Sequence, residues 1–201
     1  MTGSTPHYFT TPTGPEQRRS VRATIWGRDY TFTTARGVFS TDGLDLGTQV
    51  LLRSVEPTPG AARLLDLGCG WGAIAVALAV EVPGATVDAV DVNDRALALT
   101  RDNAAAYGVD DRVRPALPDD VPPGEFDEIW SNPPIRVGKE ALHALLLQWL
   151  PRLRPGGRAH LVVGRHLGAD SLQRWLTDQG HPTERTASAK GFRVLTTTRS
   201  T

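Results

Sequence analysis

Residues 63–94 read RLLDLGCGWGAIAVALAVEVPGATVDAVDVND, and this stretch decides the fold. RLLDL at 63–67 is a short apolar run that ends on a glycine, as a buried strand does. Gly68, Gly70 and Gly72 then permit a tight turn and let a ligand approach the backbone closely. The almost wholly apolar segment 71–82 predicts a buried helix, stopped by Pro83-Gly84. A β-branched strand over 86–92 follows. Asn93 or Asp94 can cap a helix over 95–107, which Gly108 closes. Repeats of this strand–helix unit build a mainly parallel, doubly wound α/β sheet with helices on both faces.

Outward from that stretch the pattern continues. Strands are expected over 113–117, 126–131, 160–163 and 192–198, and helices over 138–150 and 171–179, with a turn at Pro155-Gly156-Gly157. Pro115 cannot donate to a ladder, so the third strand of the sheet should lie at an edge, as it does in the order 3-2-1-4-5. Upstream, GVFSTDGLDLGTQVLLRSV at 37–55 ends as a short helix before Pro57. Val21, Ala23 and Ile25 alternate with polar partners, as do Tyr30 and Phe32, across a Gly-containing turn, which signals a hairpin. Residues 1–20 lack periodicity and are rich in Thr, Pro and Gly. The division expected is a polar arm at 1–20, a hairpin extension at 21–36 and one catalytic-sized domain at 37–201, with no internal repeat.

Composition sets limits. The 201 residues carry 22 basic and 22 acidic side chains, so bulk electrostatics cannot coat nucleic acid, DNA included, although a local basic patch can form. Only Lys139 and Lys190 are lysines, so the basic residues are nearly all arginine, which suits planar bidentate contacts. Cys69 is alone, which leaves no internal disulfide and no cysteine cluster for a metal. The longest strongly apolar stretch, 73–80, is far short of the roughly 18 residues a membrane span needs, and a reducing cytoplasm is the default compartment.

The chemistry gathers at two places. Asp66 precedes the glycine turn, where a carboxylate can meet the ammonium of an amino-acid-like ligand. Asp91 ends the second strand 23 residues after Gly68, where a carboxylate can accept bonds from ribose hydroxyls. Gly68-x-Gly70-x-x-Ala73 also satisfies a loose dinucleotide pattern, so the glycines alone are a weak signal. Cys69, with no base nearby in sequence, reads as a packed filler of that turn. The second place is Asn132-Pro133-Pro134-Ile135, straight after FDEIWS. Two prolines fix two φ angles and hold the preceding residues extended, so the Asn132 side chain and the Pro133 carbonyl can form a fixed pair of acceptors. Such a pair suits an –NH2 group, although Asn-Pro is also a common turn.

DLGCGWG, VDAVDVN and FDEIWSNPPI, in that order and on those elements, resemble motifs of class I S-adenosylmethionine-dependent methyltransferases. NPPI is similar to the (N/D)PP(Y/F/W/I) motif of enzymes that methylate planar amino groups. GVFSTDGLDLGTQVLL and NPPIRVGKEALHALLLQWLPRLRPGGRAHLVV look like the methyltransferase small domain group, which includes 16S ribosomal RNA guanine-N2 methyltransferases and single-domain relatives. The resemblance runs over 37–199 and implies a Rossmann-like sheet of seven strands. It implies that Gly68, Cys69 and Gly70, with Asp66, hold the methionine part of S-adenosylmethionine, that Asp91 binds the ribose and that Val92 packs on the adenine. Asp119, with Asp120 as rival, falls where the family often has an acid near the adenine amine. Asn132 and Pro133, with Pro134 and Ile135, would hold the target amine. An Ile135 in place of an aromatic residue leans toward guanine-N2.

Phe39 is the candidate for the other wall of the pocket, and Arg136 and Lys139 could meet a phosphate. Arg18, Arg19, Arg22 and Arg28 form a second possible RNA-contact set. The reading expected is an N-methyltransferase acting on a guanine N2, or an adenine N6, of ribosomal RNA or a ribosomal subunit. A glutamine amide or small molecule as substrate, and a degenerate binding module, are the alternatives.

Overall fold

The computed structural model describes residues 17–133 and 138–200. A hairpin of β1 (Arg18–Ile25) and β2 (Arg28–Ala35) comes first, then α1 (Leu46–Ser54). β3 (Arg63–Leu67), α2 (Ala73–Glu81), β4 (Thr86–Val90), α3 (Asp94–Ala106) and β5 (Val113–Ala116) form the first half of the main sheet. β6 (Phe126–Ser131), α4 (Lys139–Trp149), β7 (Leu153–Gly164), α5 (Ala169–Asp178), β8 (Thr183–Ala189) and β9 (Phe192–Thr198) complete it.

The seven-stranded sheet has the order β5-β4-β3-β6-β7-β9-β8. Its first five strands are parallel, and β9 runs antiparallel between β7 and β8. This is the expected doubly wound sheet of seven strands with an N-terminal hairpin, and β5, which carries Pro115, is an edge. Alternate residues of the short strands feed two cores. Leu64, Val87, Ala89 and Trp130 pack under α1, α2, α3 and the hairpin. Leu65, Val90, Ile129 and Leu161 pack under α4 and α5. α2 is apolar all round because it lies between the sheet and α3, and it is buried from Ala73 to Ala79.

Several boundaries depart from the pattern read in the sequence. β1 begins at Arg18, inside the segment expected to be an arm, because Arg18 pairs with Ala35 and Arg19 with Thr34. α2 starts at Ala73 and not at residue 71, since Gly70 and Gly72 take φ of 57° and 84°, outside helical geometry. Pro155-Gly156-Gly157 is no free turn but part of β7, accommodated by a register shift between Phe126 and Glu128. β8 has no counterpart among the strands expected from alternation. The segment 1–16 and Pro134, Ile135 and Arg136 lie outside the described residues.

The hairpin is fastened by α3. Tyr30, Phe32, Tyr107 and Trp71 form one aromatic cluster, with ring centroids 5.0–5.7 Å apart. Asn103 accepts from the Thr33 N–H at 2.8 Å, and its amide donates to Thr33 O at 2.9 Å and Trp71 O at 2.7 Å. The Tyr107 hydroxyl likewise accepts from the Thr31 N–H and donates to Thr31 O. A side chain of α3 and that of its C-cap residue Tyr107 thus occupy the free edge of β2, where another strand would otherwise pair. No helix among the described residues is long and apolar enough to cross a membrane.

Candidate active site

β3 and β6 are neighbours, and Asp66 pairs with Trp130. The ends of β3 and β6 therefore lie side by side, with Gly68 one residue past β3 and Asn132 one residue past β6. Ser131 Oγ donates to Leu67 O at 2.6 Å and ties the two strand ends together. The glycine turn and the Asn-Pro motif, 64 residues apart in sequence, share one edge of the sheet, the edge where doubly wound folds bind ligands.

The glycine turn is held from below and behind. The Gly68 and Cys69 N–H groups donate to Val90 O at 2.8 and 2.9 Å. Asp66 is fully buried, and its Oδ2 accepts from the Ala75 N–H at 2.9 Å. It therefore caps α2, whose Gly72 N-cap has no side chain to do so. Asp66 Oδ1 has no hydrogen-bond partner among the described residues. Burial pushes the Asp66 carboxyl up to about 7, the Ala75 N–H opposes this and the charge of Asp91 adds to it. Over Gly68 and Gly70 the space is open to 4 Å from where a side chain would begin, so a ligand can lie on the backbone there. Gly72 differs: a Cβ would meet Thr100 at 2.7 Å, so close helix packing reserves that position for glycine.

Asp91 sits just past β4. Its Oδ2 accepts from the Gly70 N–H at 2.9 Å and its Oδ1 from the Asn93 N–H at 3.0 Å. Burial raises its pKa against the pull of those N–H groups. Each oxygen keeps a lone pair for a hydroxyl donor. Asn93 caps α3 and donates to Gly37 O at 3.0 Å, joining this corner to the 36–45 loop. Val92 is 49% exposed beside it. Cys69 is buried, its Sγ 3.6 Å from Thr100 Oγ1, and burial pushes the thiol well up, with the charges of Asp91 and Asp66 adding. Asp119 and Asp120 are both exposed on a short 3-10 turn at 118–120 after β5.

Across the cleft, Asn132 is locked. Its Nδ2 donates to Asp45 Oδ2 at 2.7 Å and to Thr48 Oγ1 at 3.0 Å. Asp45 caps α1, and the same Oδ2 accepts from the Gly47 and Thr48 N–H groups at 2.8 and 3.2 Å. With both amide hydrogens engaged, the orientation of the Asn132 carboxamide is set, and its Oδ1 accepts nothing among the described residues, nor does the Pro133 carbonyl. Asp45 and Thr48 were not singled out by the sequence reading. Aspartate before Leu-Gly-Thr is a visible helix cap, but its contact with a residue 87 positions away is tertiary information.

The 36–45 loop closes the remaining side. Phe39 is 49% exposed on it, and Ser40 takes φ of 63°, uncommon for a residue with a side chain. Trp71 Nε1 donates to Ser40 O at 3.3 Å, which ties this wall to the glycine turn. Phe39, Leu46, Val92 and Leu117, exposed apolar side chains, all follow strands or begin α1 at this edge. Lys139 opens α4 and is exposed. Of the N-terminal arginines, Arg18 pairs with Asp102 at 2.8 Å and Arg19 with Asp42 at 3.0 Å. Half of that set is therefore charge-compensated.

Residues 29–196 match the methyltransferase small domain family. The chain belongs to the methyltransferase small domain family. It is 30% identical over 193 residues to the uncharacterized protein YbxB of Bacillus subtilis (strain 168), covering 94% of this chain and 96% of that one. It is 38% identical over 152 residues to ribosomal RNA small subunit methyltransferase C of Klebsiella pneumoniae, covering 71% of this chain and 44% of that enzyme. Among solved structures it is similar to the 16S rRNA N2 methyltransferase RsmC of T. thermophilus in complex with AdoMet and guanosine. There the TM-score is 0.79 at 28% identity, over 94% of this chain and 52% of that one. The chain thus spans about half the length of the named ribosomal RNA enzymes.

This member of the family is an S-adenosylmethionine-dependent methyltransferase. Its own residues fit that cofactor. The orphaned Asp66 Oδ1 would take the ammonium, directly or through water. The open backbone at Gly68 and Gly70 would carry the amino-acid part, Asp91 the ribose hydroxyls and Val92 one face of the adenine.

Proposed function

We propose that the chain methylates the exocyclic N2 of a guanine in ribosomal RNA, in the cytoplasm. The observation that carries this reading is the locked Asn132 carboxamide, whose Oδ1 is presented with the Pro133 carbonyl at the strand end beside the glycine turn. Two fixed acceptors bind the two hydrogens of one planar amine. They draw its lone pair out of conjugation and hold the nitrogen on the cofactor side. S-adenosylmethionine supplies an electrophilic methyl group when bound. The chain's own contribution is positioning and fixed dipoles, which are large terms when the reacting atoms are already aligned. Neither Asn132 nor the Pro133 carbonyl is a base, so the proton lost from the methylated nitrogen goes to water. A base stacked in a duplex cannot reach this edge, so the target is unpaired or flipped out, with Phe39 and Leu46 available to pack against it.

The similarity to enzymes named for small- and large-subunit ribosomal RNA supports the substrate class. Tritium transfer from labelled S-adenosylmethionine into total RNA, ribosomal subunits and total protein tests it, and nucleoside digestion of the RNA identifies the base. Label in RNA as N2-methylguanosine is expected, and label in protein alone overturns the reading. Asn132→Ala should lower transfer by about 100- to 1,000-fold, in the range seen when a fixed polar group at a reacting centre is removed, with S-adenosylhomocysteine affinity unchanged in calorimetry. A fully active variant would remove Asn132 from the chemistry.

A further inference from the structure

Asp45 uses one carboxylate oxygen, Oδ2, for all three of its hydrogen bonds, to Gly47 N–H, Thr48 N–H and Asn132 Nδ2. Its other oxygen, Oδ1, bonds to nothing among the described residues, and the side chain is half-buried. An acceptor thus stands next to the carboxamide that holds the target amine. We infer that Asp45 selects guanine, its Oδ1 accepting the N1–H while Asn132 Oδ1 accepts from N2. This inference rests on the guanine reading above.

The chemistry follows from connectivity. In guanine, N1 and N2 are both bonded to C2 and both carry hydrogen, so the base presents two donors side by side. In the Asn132 carboxamide, Oδ1 and Nδ2 share one carbon; in the Asp45 carboxylate, Oδ1 and Oδ2 do. The bond already formed, Asn132 Nδ2 to Asp45 Oδ2 at 2.7 Å, leaves Asn132 Oδ1 and Asp45 Oδ1 as the two open acceptors of a paired amide and acid. A guanine edge completes that arrangement as a ring of three planar groups. An adenine cannot, because its N1 is an acceptor and would face a carboxylate oxygen. A buried acceptor facing an acceptor is the kind of mismatch on which discrimination rests, more than on the matched contact itself. Thr48 has the supporting part: its hydroxyl takes the second Asn132 amide hydrogen at 3.0 Å and prevents the carboxamide from turning over.

Asp45→Asn separates this role from the structural one. Asparagine caps a helix as well as aspartate does, and its single carbonyl oxygen can keep the Gly47, Thr48 and Asn132 bonds. The free Oδ1 is then replaced by an NH2 donor. Initial rates are measured on ribosomal subunits with tritiated S-adenosylmethionine, alongside thermal unfolding and S-adenosylhomocysteine calorimetry. Asp45→Asn should lower guanine-N2 transfer about 10- to 100-fold and raise the ratio of N6-methyladenosine to N2-methylguanosine among the products. Unfolding temperature and cofactor affinity should stay near wild type. Thr48→Val should lower kcat several-fold, and Thr48→Ser, which keeps the hydroxyl, should recover it. Wild-type rates in both Asp45→Asn and Thr48→Val, or a lower cofactor affinity as the sole defect, overturn the inference. Wild-type protein that makes only N6-methyladenosine overturns it while sparing the RNA reading, and wild-type protein that labels no RNA overturns the proposed function itself.

Discussion

A carboxyl group with one oxygen bonded to a backbone amide and the other orphaned, both sealed from water, resists ionisation. Asp66 is such a group, and its pKa rises from 3.8 to about 7. The folded chain therefore holds a proton that the unfolded chain has already released between those values, and the ligand-free protein loses stability as pH rises through that window. An ammonium placed at Oδ1 needs the ionised form. S-adenosylhomocysteine affinity should thus climb roughly five- to tenfold from about pH 6 to about pH 7.5, and Asp66→Asn should flatten that dependence in calorimetry while lowering affinity throughout. A flat wild-type profile would detach Asp66 from the ligand. Asp66, Asp91 and Asn132 were legible in the sequence because each stands at the end of an apolar strand, Asp66 two residues before Gly68, Asp91 after the β-branched run of β4 and Asn132 directly before Pro133, which are local signatures. Asp45 was not: its cap is local, but its bond to Asn132 exists only after β6 and α1 meet.

At the scale of elements, α3 does two jobs. Its N-terminus, through Asn93, borders the cofactor corner, and its C-terminal half seals the edge of β2 through Asn103 and Tyr107. Asn103→Ala removes three bonds and leaves the Trp71 carbonyl without its partner, so urea unfolding should show a loss of about 2–3 kcal/mol. Because Trp71 lies within the glycine turn, between Gly70 and Gly72, S-adenosylhomocysteine affinity should also fall several-fold; unchanged affinity would mean that the turn holds itself. The strands richest in β-branched and apolar residues, β3, β4 and β6, were readable, since buried parallel strands are short apolar runs. β8 (TERTASA) was not, because it is an exposed edge with no alternation to read. β7 was shortened in the reading because Pro155, Gly156 and Gly157 normally punctuate. Here Phe126 still pairs with Leu153 and Glu128 with Arg158, so the strand runs through them.

For the whole molecule, two sets of buried groups set opposite pH slopes. Burial holds His160, bonded to Thr196 and beside Trp130, below the ordinary histidine range. The unfolded chain then takes up a proton that the folded chain refuses, and stability is lost as pH falls below about 6.5. Asp66 acts the other way between 3.8 and about 7, and burial raises Asp91 in the same direction. Stability of the ligand-free protein should therefore change little from about pH 4.5 to about pH 6.5. His160→Gln should uncover a fall with rising pH, and Asp66→Asn a fall with decreasing pH, both measured by urea midpoints. Parallel shifts in the two variants would refute the compensation. The edges of the sheet have a consequence of their own. β5 ends one side with Pro115, which offers no amide hydrogen, and β8 ends the other with a bulge between Arg185 and Ala187 and charged Glu184 and Arg185. Each rim is a poor template for the strand of a second chain, so edge-to-edge growth of the sheet is disfavoured at both ends.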